Sequence, residues 1–89
     1  MQAALALAIQ NRKRVSFRYN NKFHSVEPHC YGIDSKGRES LLAYEKGLGW
    51  QVFDVDTLWN IYDRDDGFDA ARPNFSPDIA PMTQIIASL

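Results

Sequence analysis

Apolar positions recur along the chain at two spacings, and each spacing names an element. Near the start, Leu5, Ala8 and Ile9 fall at i, i+3 and i+4, one apolar stripe along a helix over residues 2–10. The alanines of this run favour helix intrinsically. Asn11 is a natural stop, because Asn tolerates the left-handed backbone that ends helices. Arg12 and Lys13 then set cations against the negative end of the helix dipole. From Val15 the period changes to two. Val15, Phe17 and Tyr19 share one face and Ser16 and Arg18 the other, the alternation of a half-buried strand over 15–19.

Asn20-Asn21 predicts a tight turn, since Asn accepts positive φ, and residues 22–27 return as a second strand. Pro28 has no N–H to give a ladder, so this strand is expected to end or bend there. Residues 29–34 and 38–45 form a second hairpin around Ser35-Lys36-Gly37, with Gly32 marking a bulge or sharp bend. Residues 50–55 and 58–62 read as two further strands interrupted by Asp56-Thr57. Residues 64–78, with Gly67, Pro73 and Pro77, read as a tail wrapped over the strands and anchored by Phe68 and Phe75. Asp78 is placed to cap a last short helix with Pro81 in its first turn. Met82, Ile85, Ile86 and Leu89 give that helix its stripe.

Five or six short antiparallel strands with regular turns predict a mainly β fold, curled into a small closed barrel with flanking helices. One domain, 1–89, is expected: an N-terminal helix (1–11), a barrel (14–63), and a wrapping tail with a short C-terminal helix (64–89).

Composition agrees with one folded unit. The chain has 89 residues, 45% apolar and 12% aromatic, values of a globular domain that buries about two-thirds of its unfolded surface. A single cysteine, Cys30, allows no internal disulfide and suits a reducing compartment. The apolar run 3–9 is too short for a membrane span and lacks the basic flank of a signal peptide. A cytoplasmic protein away from the membrane is expected. The net charge of −1 hides an asymmetry: residues 1–40 carry seven Lys/Arg against three Asp/Glu (+4), and residues 41–89 three against eight (−5). The two halves can attract one another within the fold or between copies.

Candidate chemistry is sparse. His24, His29 and Cys30 are the soft metal ligands, fewer than the four a zinc site needs, so no metal and no cofactor is expected. Asp63-Arg64-Asp65-Asp66-Gly67 fails the ligand spacing of a calcium loop and reads as an acidic solvated turn. Ser25, Ser40 and Cys30 lack the signatures of nucleophilic catalysis. Asp54 and Asp56 read as plain surface, and no phosphate-binding glycine motif occurs. The expectation is a protein that is not an enzyme. Arg12, Lys13, Arg14, Arg18 and Lys22, with Phe17, Tyr19 and Phe23 among them, offer a single-stranded nucleic-acid stripe. The competing reading turns the rings inward as core and leaves the cations solvated.

Val26-Glu27-Pro28, Gly37-Arg38 and the segment Gln51–Leu58 stand in an order that resembles the WYL domain family over roughly residues 4–68. In that family V-E-P is followed by G-R, a W-Y-L strand, and a segment R-x-F-x-h-D-x-h, where h is apolar. Here the W-Y-L positions hold Glu39, Ser40 and Leu41. Phe53, Val55, Asp56 and Leu58 fit the later segment, while Gln51, Asp54 and Thr57 stand where the family has ligand-facing arginines. The resemblance implies an Sm-like barrel and a role in bacterial transcription regulation, sensing a ligand that is commonly nucleic acid or nucleotide. The winged-helix DNA-binding domain that usually precedes such barrels does not fit into one helix of about nine residues.

A pocket among the WYL-like strands would use Arg38, Tyr44, Trp50, Gln51 and Asp54, with Arg and rings suited to a nucleotide or other anionic ring ligand. The alternative is that Tyr44 and Trp50 pack inside and Arg38 follows a turn. The leading expectation is a non-enzymatic, regulatory module that binds a small ligand, a nucleotide or oligonucleotide, or a protein partner. The first alternative is a single-stranded nucleic-acid binder using Arg12, Arg14, Arg18 and Lys22. The second is a self-assembling protein, a homodimer joined through strand edges and the Ile85, Ile86 and Leu89 stripe.

Overall fold

The computed structural model describes residues 2–89. Among them the chain forms one helix, α1 (Ala3–Asn11), and six strands: β1 (Lys13–Tyr19), β2 (Lys22–Asp34), β3 (Glu39–Glu45), β4 (Gly49–Asp54), β5 (Trp59–Gly67) and β6 (Met82–Ser88). All strand pairs are antiparallel, in the order β4–β3–β2–β1–β5, with β6 joined to β2. The sheet is open, with β4 and β5 at the two ends of its path.

The long strand β2 organises the rest. Its first half pairs with β1 up to Val26, and its second half pairs with β6 from Cys30 onward. β3 runs alongside from Glu27 to Ile33. The expected break at Pro28 is therefore corrected: the strand continues to Asp34. Pro28 stands where the β1 ladder hands over to β6, and a register shift follows it against β3. A proline that donates no hydrogen bond is tolerated at such an irregular point. A second shift falls between Tyr31 and Gly32 against β6. A Cβ on Gly32 would meet the Gln84 carbonyl oxygen, so glycine lets the two backbones close.

α1 buries Leu5, Ala8 and Ile9 against Val15, Phe17, Val26, Tyr31, Leu41, Phe53 and Val55. Its end comes one residue later than expected. Arg12, not Asn11, takes the left-handed conformation (φ 51°), and its carbonyl accepts the Phe68 N–H at 2.9 Å. Tyr31, fully buried, ties the helix to the sheet: its hydroxyl accepts the Gln2 N–H at 2.7 Å and donates to the Glu39 carboxylate. Burial and that carboxylate push the phenol up to about 12.

Two further expectations are corrected. Residues 82–88 are a strand, not a helix, and Asp78 lies in a single 3-10 turn, Pro77–Ile79. The spacing of Met82, Ile85 and Ile86 imitates a helical stripe over too few residues to decide, while Thr83, Ile85 and Ile86 are β-branched. The edge of β2 beyond Pro28 needs a hydrogen-bonding partner, and β6 supplies it. The acidic run 63–67 likewise belongs to β5, not to a turn. Cations of the neighbouring strand hold it there: Lys13 Nζ donates to the Asp65 carbonyl at 3.0 Å and Arg14 Nη1 to the Gly67 carbonyl at 2.7 Å.

Candidate ligand-binding face

Two arginine-and-ring constellations stand on this sheet. The first is closed. Glu27 is 4% exposed and takes a two-pronged fork from Arg72, Nε to Oε1 at 2.7 Å and Nη2 to Oε2 at 2.8 Å. Arg14 Nη2 adds a third contact at 3.3 Å. The Arg72 hydrogen bonds hold the Glu27 carboxyl below its ordinary range, against the opposing effect of burial. His29, fully buried, is partnered at both nitrogens. Nε2 accepts the backbone N–H of Arg72 at 3.0 Å, which makes Nδ1 the protonated nitrogen that donates to the Glu27 carbonyl at 2.8 Å. Burial lowers its pKa, so the ring is held neutral. Trp50, Phe75 and Phe68 surround it with ring centres at 4.7, 5.1 and 5.6 Å. The Arg72 guanidinium lies over Tyr44 at 4.4 Å. This clasp straps residues 68–75 to the middle of β2.

The second constellation is open. On β1, Val15 and Phe17 are buried and Tyr19 packs on the core. Arg14, Ser16 and Arg18 take the other face, with Ser16 Oγ under Arg64 Nη1 at 3.3 Å. The ladders put Arg18 directly between Phe23 of β2 and Trp59 of β5. One row away, Ser16 stands between Ser25 and Tyr62. Phe23, Trp59 and Tyr62 are 55%, 70% and 48% exposed.

A bulge produces this arrangement. Between the pairs Arg18–Trp59 and Ser16–Tyr62, β1 advances two residues and β5 three. Asn60 absorbs the extra residue at φ 54°, a conformation that costs a non-glycine residue energy and that clusters at functional sites. With strict alternation Tyr62 would turn inward. Instead Ile61 packs against the core and both neighbouring rings stay outside. Arg18 borders two hollows. One, of about 550 Å³, is lined by Arg18, Asn20, Asn21, Thr57, Trp59 and Asn60. The other, of about 190 Å³, is lined by Phe17, Arg18, Phe23, Asn60 and Tyr62. Rings form the walls, amides line the larger hollow, and no carboxylate pairs with Arg18 among the described residues. The chemistry of such a surface would suit flat, anionic groups with hydrogen-bonding edges.

The residues singled out by sequence are distributed differently. Tyr44 and Trp50 are cross-strand partners in edge-to-face contact at 5.5 Å, yet both belong to the clasp. Arg38 sits beyond the other end of β3, with Nε 3.4 Å from Asp34. Asp54 pairs with Ser40 near that same end and caps the turn Val55–Thr57 by accepting the Asp56 N–H at 3.2 Å. Gln51 lies between, opposite Ala43. The five do not gather in one pocket. Of the nucleic-acid candidates, Arg14 and Arg18 share a face, Arg12 ends the helix, and Lys22 stands opposite Tyr19. Cys30 is buried with its Sγ 3.4 Å from Met82 Sδ, and burial pushes its thiol up. His24 pairs with Glu45 at 2.8 Å.

Sequence reasoning left Trp59, Asn60 and Tyr62 out of the candidate set. A signal was present. Leu58, Trp59, Ile61 and Tyr62 are four apolar residues in a run of five, and a strand with one buried face cannot turn all of them inward. No family model, curated protein or solved structure matches the chain.

Proposed function

We propose that this chain is a non-enzymatic binding module for single-stranded nucleic acid, which lies across the outer face of β2, β1 and β5. One observation carries the reading: an arginine without an acidic partner among the described residues stands between two exposed rings, with a third ring one row away. Bases stack on exposed aromatic faces whatever their identity, while arginine answers the phosphate and adds cation–π attraction. Asn20, Asn21 and Asn60 supply donors and acceptors for base edges around Trp59. The resemblance to WYL domains adds a regulatory role. The strand order and the register shift after Pro28 are compatible with an Sm-like curl, though the sheet is open and likeness of fold is a weak guide to function.

The test is a titration of short labelled single-stranded oligonucleotides by fluorescence anisotropy at two salt concentrations. Binding is expected to weaken with salt, with a logarithmic slope of about −0.7 per phosphate contacted. Arg18→Ala and Phe23→Ala should both weaken it. Binding that survives both substitutions unchanged would sink the proposal, as would no binding at low salt.

A further inference from the structure

Beside the ledge formed by Arg18 and the exposed rings of Phe23, Trp59 and Tyr62 lies a cleft of about 360 Å³ lined by Arg14, Ser25, Glu27, Tyr44, Lys46, Arg64 and Asp66. We infer that this cleft is a phosphate subsite continuous with the ledge, and that Asp66 keeps it closed by standing where a ligand phosphate binds. The inference rests on the nucleic-acid reading above and adds to it a second subsite with a built-in competitor.

Asp66 is an anion held between two guanidiniums, one N–H from each. Its Oδ2 accepts Arg14 Nη1 at 2.9 Å and its Oδ1 accepts Arg64 Nε at 3.1 Å. One carboxylate thus bridges guanidiniums on two neighbouring strands, each oxygen taken by a different arginine. Guanidinium forks match carboxylate and phosphate alike, so the pair that holds Asp66 can hold a phosphodiester by the same bonds. The Asp66 side chain is 53% exposed, so it can swing into water at little desolvation cost. The cleft's other carboxylate, Glu27, is held mainly by the Arg72 fork and touches Arg14 only through a longer contact of 3.3 Å. Lys46 reaches the same cleft with no ion-pair partner among the described residues. Removing Asp66 leaves Arg64 and Lys46 without an acid among the described residues and Arg14 with only its 3.3 Å contact to Glu27.

The cleft also lies on the line a strand of nucleic acid would follow. Arg14, Ser16 and Arg18 share one face of β1, with Ser16 buried against Arg64, and the two arginines lie about 13 Å apart at the rise of an extended strand. A ligand of one or two nucleotides covers the ledge alone, whereas a longer one reaches the cleft and must displace Asp66.

Asp66→Asn removes the charge with little change of shape. The experiment titrates a thymidine dinucleotide and a thymidine tetranucleotide against wild type and this variant, with Trp59→Ala as the control for the ledge. The tetranucleotide is expected to bind Asp66→Asn about three- to fivefold more tightly than wild type, the size of one exposed ion pair, while the dinucleotide changes little. Adding Arg64→Gln to Asp66→Asn should return the tetranucleotide to wild-type affinity or below. If the tetranucleotide binds Asp66→Asn no better while wild-type binding still needs Trp59, Asp66 only orients the arginines. The subsite then falls and the ledge stands. If neither oligonucleotide binds wild type or Asp66→Asn, the nucleic-acid reading itself fails and takes the subsite with it.

Discussion

Arg72 and Arg18 each stand among aromatic rings on the same sheet, and the chain treats them in opposite ways. Arg72 is forked onto a nearly buried carboxylate, its guanidinium lies over Tyr44, and its backbone N–H is accepted by His29. Among the described residues Arg18 has rings on both sides but no acid, and those rings face water. The polar groups of the clasp are satisfied inside the molecule, so its energy holds a connecting segment in place. The ledge leaves its attractions unspent, and three exposed rings with one cation are what a ligand can still use. Arginine near aromatics is thus no signature of a site by itself. What separates the two is whether the protein supplies the anion.

The largest expected effect tests the closed region. Glu27→Gln keeps the shape but loses the charge that Arg72 and Arg14 share. Loss of charge-assisted hydrogen bonds at a nearly buried acceptor should cost about 2 kcal/mol, or roughly 10 °C in Tm for a domain this small. Urea denaturation followed by circular dichroism measures it. The affinity of the folded variant for a dinucleotide, which covers the ring face alone, should hardly change. Loss of binding without loss of stability would reverse the roles assigned to the two regions. Trp59→Ala tests the open region and should do the opposite. Removing one stacking platform costs about 1–3 kcal/mol of binding, roughly a 5- to 150-fold weaker complex, while a residue so exposed should leave the urea midpoint near wild type.

A smaller effect is expected with pH. The folded-state pKa of His29 is depressed by burial, so the unfolded chain takes up its proton first as pH falls. The stability due to neutral His29 is present above its ordinary value near 6.5 and is lost as pH drops from there toward the folded value. Glu27, also depressed, gives a second loss only lower down, beginning near its ordinary 4.5. The urea midpoint should therefore start to fall below about pH 6.5 in wild type. In His29→Gln it should be lower but flat until the carboxylate range. An unchanged slope in that variant would remove His29 from the clasp's pH response.

Much of the scaffold is legible in residue types. The helix follows from Leu5, Ala8 and Ile9, and the first hairpin from alternation on either side of Asn20-Asn21, because period and turn chemistry are local properties. The errors come where a tertiary partner decides. Pro28 looks like a strand end until β6 takes over the ladder from β1. Met82, Ile85 and Ile86 look helical until the edge of β2 claims them. Asp63 to Asp66 look like a solvated turn until Lys13 and Arg14 draw them into β5. The candidate face was the least legible part, since it depends on one extra residue in β5. Asn60 tolerates the left-handed backbone of a bulge but does not by itself call for one, and only the bulge puts Trp59 and Tyr62 on the same side.

Arg38 offers the finest test of the comparison. It carries the same charge as Arg18, and sequence alone favoured it as a ligand-binding residue. Its guanidinium lies 3.4 Å from Asp34, whose carboxylate also accepts the backbone N–H groups of Lys36 and Arg38 at 2.9 and 3.0 Å. It therefore belongs to the β2–β3 turn and has its own anion. If oligonucleotides were drawn to the protein by net charge alone, Arg38→Ala and Arg18→Ala would weaken binding equally and by the same salt dependence. If the ledge holds them, Arg38→Ala should change the dissociation constant by less than about twofold, as expected for a distant exposed charge screened by salt. Arg18→Ala should lose the phosphate contact outright and with it about 0.7 of the logarithmic salt slope. Two arginines, each exchanged for alanine and titrated at two salt concentrations, thus separate attraction by charge from recognition by a surface.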